Sequence, residues 1–194
     1  MLTSPPLVRI LPATLPPTLS PPPPVTTVLQ TERLILRHLT EDDAEFYVAL
    51  VNDPDWLRFI GDRGLRTADA AREYLATGPI PGYPRNGFGL YLTALREDGT
   101  PVGICGLVRR EGLDDVDVGF AFLPAFRGRG YAVEAGNAVL AQARDDVGLA
   151  HVAAITNPDN DASIAVLQKL GFRFERLMRL APEAAEVNLF LRDL

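Results

Sequence analysis

Glycine and arginine residues cluster where an apolar strand pattern runs directly into a helical pattern. The segment is Arg127-Gly128-Arg129-Gly130-Tyr131-Ala132. Such a junction exposes unpaired backbone amides at the positive end of a helix dipole, and amides in this arrangement bind anions such as phosphate. The two glycines permit positive φ angles and close approach of a ligand, while the two arginines add positive charge. The segment therefore predicts a phosphate-binding loop.

The common nucleotide and hydrolase motifs do not account for this loop. It begins like G-x-G-x-x-G, but Val133 stands where the third glycine belongs, which disfavours a dinucleotide site. The chain also lacks the G-x-x-x-x-G-K-[ST] motif of a nucleotide-binding P-loop and the G-x-S-x-G motif of a nucleophilic serine. These motifs therefore leave the identity of the anion open.

The hydrophobic pattern places the loop inside a mixed α+β domain. From residue 33 onward the pattern predicts the order β-α-α-β-β-β-α-β-α-β-β, with Asp98-Gly99 as the turn of an antiparallel hairpin. Thr40 and Asp43 predict a capping box that begins the first helix, and Asp53-Pro54 is expected to end that helix. A long helix is expected from about Tyr131 to Val147. These elements predict a mostly antiparallel central sheet flanked by helices.

Composition divides the 194 residues into two parts. Residues 1–24 contain nine of the 17 prolines, no glycine and one charged residue, which is typical of a disordered or polyproline II leader. Residues 25–194 are expected to form a single domain. They carry 18 Lys and Arg against 25 Asp and Glu, and this net charge of −7 disfavours a nucleic-acid partner. No apolar run is long enough for a membrane span or a secretory signal, so we expect a cytoplasmic protein without a membrane partner.

Cysteine and histidine are too scarce for a disulfide framework or a structural metal site. The chain has one cysteine, Cys105, and two distant histidines, His38 and His151. A structural zinc site needs four ligands, so no metal is expected. Cys105 falls inside a strand pattern, which favours a buried thiol over a nucleophile. The two histidines flank strands and are expected to be surface or boundary residues.

Three segments of the chain resemble the GNAT N-acetyltransferase superfamily. Arg127-x-x-Gly130-x-Ala132 is similar to its [QR]-x-x-G-x-[GA] acetyl-CoA loop. The run from Thr31 to Arg37, with Asp42-Asp43-Ala44 after it, resembles the opening strand and helix of the RimJ/RimL-type branch. Asn160-x-x-Ser163, leading to Leu167-x-x-Leu170-Gly171-Phe172, resembles the N-x-x-S and L-G-F segment of that branch. The resemblance covers about residues 29–192 and implies a GNAT fold and acetyl-CoA-dependent N-acetyl transfer.

The resemblance also implies which residues bind acetyl-CoA. Backbone amides of residues 127–132 would hold the pyrophosphate, and amides around Phe122 and Leu123 would contact the pantetheine and polarise the acetyl oxygen. Asn160 is implied as a pantetheine contact, although it and Ser163 are alternatively capping residues of a helix. The predicted cofactor-binding set is Phe122, Leu123, Arg127, Gly128, Arg129, Gly130, Tyr131, Ala132, Asn160 and Ser163.

Asp117 and Ser163 are the predicted catalytic residues. Asp117 occupies a position where relatives often carry Glu, and from there it would receive the proton of the attacking amine, directly or through water. Asp is one methylene shorter than Glu, and the alternative is an acid on the solvent face of a strand. Ser163 would donate a proton to the departing CoA sulfur. Glu134, in the first turn of the long helix, is expected to act electrostatically on the helix start.

Three aromatic residues, Trp56, Phe59 and Tyr83, lie in the region where relatives line the acceptor pocket. The resemblance implies that they shape acceptor specificity, and core packing is the alternative. These predictions do not identify the acceptor within the class of primary amines.

The resemblance implies that the amine attacks the thioester directly while both substrates are bound. Deprotonating an α-amine of pKa about 7.7 to 8.0 costs roughly 1 to 1.4 kcal/mol at pH 7, whereas a lysine amine costs about 4.6 kcal/mol. A short Asp base therefore favours an α-amino acceptor, either a protein N-terminus or a small amino compound. The alternative is an acyl-CoA-binding or regulatory domain without turnover. We expect a monomer or a homodimer.

Overall fold

The computed structural model describes residues 26–194, and the elements of this part alternate between strands and helices. The predicted leader, residues 1–24, lies outside the described residues. The strands are β1 Thr27–Gln30, β2 Leu34–Arg37, β3 Leu90–Leu95, β4 Pro101–Val108, β5 Asp117–Phe122, β6 His151–Thr156, β7 Arg173–Met178 and β8 Val187–Asp193. The helices are α1 Ala44–Val51, α2 Pro54–Phe59, α3 Ala68–Thr77, α4 Pro79–Asn86, α5 Tyr131–Asp145 and α6 Asp161–Lys169.

One eight-stranded sheet organises the described residues, in the order β1-β2-β3-β4-β5-β6-β8-β7. Neighbouring strands are antiparallel except for β5 and β6, which run parallel. Each face of the sheet is covered by its own apolar core. Helix α5 packs on one face, where Val139 and Ala143 are buried, and helices α1 and α3 pack on the other, where Leu50 and Leu75 are buried. The predicted mixed, mostly antiparallel fold is confirmed.

Successive side chains of the central strands point alternately into the two cores, as the pleat of a sheet requires. On β3, Tyr91 faces the α5 core and Leu92 faces the α1 and α3 core. On β4, Cys105 faces the α5 core and Ile104 faces the α1 and α3 core. Burial on both faces explains why these central strands are almost continuously apolar.

The Asp53-Pro54 pair ends α1, as expected, but it also begins another helix. Asp53 is extended and its carboxylate accepts hydrogen bonds from the amides of Asp55 and Trp56, while Pro54 occupies the first helical position. Proline is favoured at this position because its missing N–H would have no partner there. The sequence pattern missed this short helix α2, as well as the edge strand β1 and the proline-rich helix α4.

Helix α5 is built for close packing. A Cβ atom at Gly136 would lie 2.7 Å from Leu170 Cδ1, so only glycine fits where α5 meets the end of α6. Ala135 and Val139 are completely buried beside it. The absence of a side chain at Gly136 thus brings α5 close to the end of α6.

Candidate active site

A cavity of about 490 Å³ passes through the sheet between β5 and β6. Its lining includes Trp56 and Ile104, which belong to the core on the α1 face, and Val133 and Leu167, which pack with the core on the α5 face. The described cavity is therefore open to both sides of the sheet. Two ligands can approach each other within it from opposite faces.

The cavity exists because the two parallel strands separate soon after they meet. Asp117 of β5 pairs with Ala153 of β6, and this is the register position at which the two strands are paired. The amide of Ala153 donates to the carbonyl of Val116 at 2.9 Å. Beyond this point the edge of β5 faces the cavity instead of a neighbouring strand. Asp117 thus lies at the apex of the gap.

The free edge of β5 offers the amides of Phe120 and Phe122, but not that of Leu123. The Leu123 amide donates to Val102 of β4 at 2.9 Å, so the prediction of a free Leu123 amide is wrong. Along a strand, the amides of successive residues point to opposite neighbours. Because the Leu123 amide points toward β4, the amides of Phe122 and Phe120 point toward the gap. Phe120 was missed, although the alternation from a correct strand register identifies it.

The predicted phosphate-binding loop lies at the open end of the gap. Gly128 and Gly130 have φ angles of +73° and +83°, and α5 begins directly after them. The first internal hydrogen bond of this helix runs from the Glu134 amide to the Gly130 carbonyl at 3.0 Å. No group in the described part of the chain accepts a hydrogen bond from the amides of residues 128–133. These amides are available to an anion.

The side chain of Arg127 does not take part in this anion site. Its Nε donates to the Phe122 carbonyl at 2.8 Å, and its two Nη atoms pair with the carboxylates of Asp55 and Asp53. The prediction that Arg127 adds free positive charge to the loop is therefore wrong. The Arg127 amide donates to the Pro124 carbonyl at 3.2 Å, so the prediction that it binds the pyrophosphate with the amides of residues 128–132 is wrong as well. Arg129 is exposed, and its guanidinium lies 5.6 Å from the centroid of the Phe126 ring. Arg129 supplies the positive charge beside the amides.

Glu134 anchors the loop to the start of the sheet. Its carboxylate accepts hydrogen bonds from the Thr31 hydroxyl at 2.6 Å and from the Arg33 amide and Nε at 2.9 and 2.7 Å. Arg33 in turn donates to the Arg129 carbonyl at 3.1 Å and stacks over Tyr131. The hydrogen bonds lower the pKa of Glu134 although its partial burial raises it. The expected electrostatic role at the helix start is thus joined by a specific contact.

Asp117 is buried and paired. Its side chain is 1% exposed, and its carboxylate accepts a hydrogen bond from Arg110 Nε at 2.7 Å. Both residues line the cavity, so the alternative of an acid on the solvent face is wrong. Burial raises the pKa of Asp117 more than Arg110 lowers it. A carboxyl with a raised pKa accepts protons more readily near neutral pH than an exposed Asp does.

Asn160 and Ser163 form the opposite wall of the gap at the start of α6. The Asn160 side chain accepts a hydrogen bond from the Ser163 amide at 3.0 Å, which makes Asn160 the N-cap of this helix. Both residues line the cavity. The Ser163 hydroxyl has no hydrogen-bond partner among residues 26–194, so the capping alternative holds for Asn160 and not for the side chain of Ser163.

The sequence matches the family model described as Acetyltransferase (GNAT) domain over residues 33–173, which is more than half of the chain. This chain belongs to the GNAT family. It is an acyl-CoA-dependent N-acetyltransferase, and members of its family use acetyl-CoA as the acetyl donor. The GNAT model spans the loop, the strand β5 and the start of α6, so the three parts of the cavity wall belong to the family domain.

Two Bacillus subtilis proteins are similar to this GNAT chain in sequence. The uncharacterized protein YkkB is 30% identical over 158 residues, which cover 79% of this chain and 89% of YkkB. The uncharacterized N-acetyltransferase YoaA is 26% identical over 154 residues, which cover 78% of this chain and 86% of YoaA.

Solved structures share the GNAT fold. An acetyltransferase from Agrobacterium tumefaciens strain C58 has a TM-score of 0.71 at 25% identity, with 91% of this chain and 98% of that chain covered. RimL, a ribosomal L7/L12 alpha-N-protein acetyltransferase solved in complex with coenzyme A, has a TM-score of 0.73 at 19% identity, with coverage of 84% and 96%. The likeness to the RimJ/RimL-type branch therefore extends to the fold.

The aromatic residues predicted for the acceptor pocket divide into two groups. Trp56 and Phe59 line the cavity. Tyr83 is instead a buried core residue, whose hydroxyl accepts from the Leu39 amide at 3.0 Å and donates to the Leu90 carbonyl at 2.7 Å. Core packing is thus correct for Tyr83, which stands outside the GNAT cavity.

Cys105 and the two histidines lie in the surroundings that the sequence predicted. Cys105 is completely buried, and burial raises the pKa of its thiol to about 12, so it is a poor nucleophile. His151 is exposed and lies 2.8 Å from an oxygen of Asp115, while His38 is half-buried and stacks on Tyr83. No cluster of three potential metal ligands occurs within residues 26–194. None of the helices in that range is long and apolar enough to cross a membrane.

Proposed function

We propose that this enzyme transfers the acetyl group of acetyl-CoA to a primary amine by direct attack while both substrates are bound. The observation that carries the proposal is the cavity through the sheet. A loop with unbonded amides lies at one end of this cavity, and a buried carboxylate lies at its apex. Because it is open to both faces, donor and acceptor can enter from opposite sides and meet beside β5.

The residues on the donor side fit acetyl-CoA. The free amides of residues 128–132 suit the two phosphates, and each hydrogen bond to a charged group contributes about 1.5 to 3 kcal/mol. Arg129 adds a cation where the domain is otherwise acidic. The amides of Phe120 and Phe122 suit the amide-rich pantetheine and the acetyl oxygen, in the manner of an oxyanion hole. Asn160, on the facing wall, completes the pantetheine site.

Acetyl-CoA supplies a thioester, whose carbonyl carbon is open to attack by an unprotonated amine. In our proposal Asp117 receives the amine proton, either directly or through a water molecule. Arg110 keeps the carboxylate charged and oriented toward the cavity. The Ser163 hydroxyl, which is free in the described structure, donates a hydrogen bond to the departing thiolate and passes its proton to the sulfur as it takes another from solvent water.

We infer that the acceptor is an α-amine, as in a protein N-terminus or a small amino compound. Asp117 is short and buried, and it suits an amine that loses its proton at little cost. RimL, which shares the fold, is an alpha-N-protein acetyltransferase. Lysine side chains require about 3 kcal/mol more for deprotonation at pH 7 and are the poorer class of acceptor.

The experiment incubates the enzyme with acetyl-CoA and a panel of primary amines, with acetylated products measured by mass spectrometry. The panel contains short peptides with free N-termini, free amino acids and amino compounds, and peptides with a blocked N-terminus and one lysine. We expect products from the first two groups at rates well above the third. Acetylation of the lysine peptides alone would contradict the α-amine assignment, and calorimetry without acetyl-CoA binding would contradict the donor site.

A further inference from the structure

Helix α2 bridges the two walls of the cavity. Its first end contacts the loop that follows β5, through Arg127. Its last end contacts the loop that follows β6, where Asn157 Nδ2 donates to the Phe59 carbonyl at 3.0 Å. Arg58 also pairs with Asp159 at 2.8 Å. We call residues 53–60 the strap, because they cross the open end of the gap between β5 and β6.

The first fastening of the strap is a three-way contact of one guanidinium. Arg127 Nε donates to the Phe122 carbonyl at 2.8 Å, its Nη1 to Asp55 at 2.5 Å, and its Nη2 to Asp53. The planar guanidinium has five donors in a fixed geometry, so it joins the end of β5 to the start of α2 in one orientation. A lysine or glutamine could not make the same set of contacts.

Asp53 links this fastening to the helix itself. Its side chain is 4% exposed, and the carboxylate also accepts hydrogen bonds from the Asp55 and Trp56 amides at 3.1 and 3.4 Å. The same group therefore caps α2 and pairs with Arg127. A buried carboxylate needs a charged partner, so the position of α2 depends on that of Arg127.

The second fastening is a neutral hydrogen bond to a residue that lines the cavity. Asn157 is half-buried, and the carbonyl that it binds belongs to Phe59, whose ring lines the cavity with that of Trp56. Asn157 follows β6 directly and precedes the Asn160 cap of α6 by three residues. The strap is thus fixed to the same loop that carries the facing wall.

We propose that Arg127 and Asn157 are positioning residues for the acceptor, because they hold the strap, and with it Trp56 and Phe59, across the gap. This inference rests on the proposed acetyl transfer. It assigns the arginine of the loop motif to the acceptor side, whereas the backbone of the same loop serves the donor side. One short segment, residues 122–130, thereby couples the positions of the two substrates.

The test compares four variants with the wild type by calorimetry for acetyl-CoA and by steady-state kinetics for the best amine. Arg127→Gln is made together with Asp53→Asn, because the double variant leaves no buried unpaired carboxylate and asparagine retains the N-cap. Asn157→Ala removes the second fastening, and Asn137→Ala, an exposed residue of α5, is its matched control. Arg129→Gln removes the neighbouring free cation.

We expect opposite effects from the two arginines. The Arg127 and Asp53 double variant and Asn157→Ala should each raise the KM of the amine about tenfold, with acetyl-CoA affinity within about threefold of the wild type. Arg129→Gln should weaken acetyl-CoA about fivefold and leave the amine KM unchanged, and Asn137→Ala should change neither. A loss of acetyl-CoA affinity in the Arg127 double variant, with the amine KM unchanged, would overturn the proposal.

Hydrogen exchange separates this proposal from the proposed function. The amides of Leu57 and Ile60, which donate to Asp53 and Trp56 within the strap, should exchange about tenfold faster in both strap variants than in the Asn137→Ala control. This readout needs no turnover. If no amine is acetylated but exchange of the strap amides accelerates, the acetyl-transfer proposal is wrong and the fastening of the strap is supported. If exchange is unchanged in both variants, the fastening of the strap is refuted.

Discussion

Arg33 and Glu134 are 101 residues apart in sequence and are joined by an ion pair and by a backbone hydrogen bond. Arg33 donates through its backbone amide and its Nε to the two carboxylate oxygens of Glu134, at 2.9 and 2.7 Å. The pair joins the turn between β1 and β2 to the first turn of α5, directly beside Gly130. The loop of residues 127–132 is therefore held from the turn that joins the first two strands of the sheet order.

Removal of the Glu134 carboxylate should loosen the loop. Glu134→Ala is expected to lower the free energy of unfolding by about 2 kcal/mol, because three hydrogen bonds to a charged, mostly buried group are lost. Glu134→Gln, which keeps an acceptor oxygen, should lose about half as much. Urea unfolding at pH 7 measures both values.

The pH dependence of the same variant follows from the lowered pKa of Glu134. A carboxyl with a lowered pKa contributes stability above its unfolded pKa, and that contribution is lost as the pH falls through the folded value. The stability difference between wild type and Glu134→Gln should therefore shrink in acid. A difference that stays constant from pH 7 to pH 3 would show that the ion pair does not stabilise the loop.

Bulk and negative charge at Gly128 should abolish acetyl-CoA binding. Gly128 and Gly99 have φ angles of +73° and +76°, and a Cβ at either position would meet nothing within 4 Å. Gly128→Glu and Gly99→Glu therefore carry the same backbone cost of about 1 to 2 kcal/mol. Only the first puts a carboxylate against the phosphate site.

Calorimetry with acetyl-CoA distinguishes these two glycine variants. We expect binding to be lost in Gly128→Glu and unchanged in Gly99→Glu, while both variants melt at similar temperatures. Equal acetyl-CoA affinities in the two variants would show that the loop does not bind acetyl-CoA.

Asp117 should control the acidic limb of the pH profile. A base acts in its charged form, so kcat/KM should fall as the pH drops through the raised pKa of Asp117. Asp117→Asn should lower kcat about 100-fold near neutral pH without weakening acetyl-CoA binding. The variant should also lose the acidic limb, which a pH series of initial rates detects.

Arg110 provides a second, independent test of the base. Arg110 lowers the pKa of Asp117, so Arg110→Gln should move the acidic limb to higher pH. Arg110 is only 35% exposed, but glutamine keeps a hydrogen-bond donor for Asp117, and the raised pKa lets that buried carboxyl become neutral, so the variant can fold. If the acidic limb of the pH profile stays at the same pH in Arg110→Gln, then Asp117 is not the group that causes it.

The Ser163 hydroxyl should matter for turnover and not for folding. The Asn160 cap uses the Ser163 amide, which alanine retains, so Ser163→Ala should leave the melting temperature unchanged. Loss of a positioned proton donor should lower kcat about 100-fold. Ser163→Thr keeps the hydroxyl and serves as the control; similar rates in the alanine and threonine variants would exclude the hydroxyl from the reaction.

The sequence was sufficient for features that depend on local chemistry. Glycines that require positive φ predicted the loop, and apolar alternation predicted the long strands and α5. The capping alternative for Asn160 was also correct, because its side chain accepts a hydrogen bond from the first turn of α6.

Features that depend on contacts between distant segments could not be derived in the same way. The carboxylate partners of Arg127 lie more than 70 residues earlier in the chain, so its sequence position in a glycine-rich loop suggested a phosphate contact instead. The burial of Asp117 depends on Arg110 and on the packing of β5 against its neighbours. The Leu123 amide was misassigned because the strand register, and not the motif, determines which amides face the gap.

The release of CoA thiol from acetyl-CoA, with and without an α-amine, tests the proposed acetyl transfer most directly. We expect thiol release that depends on the amine, equals the acetylated amine mole for mole, and falls about 100-fold in Asp117→Asn. Tight acetyl-CoA binding without amine-dependent thiol release, for every amine in the panel, would instead identify a binding domain without turnover and contradict the account.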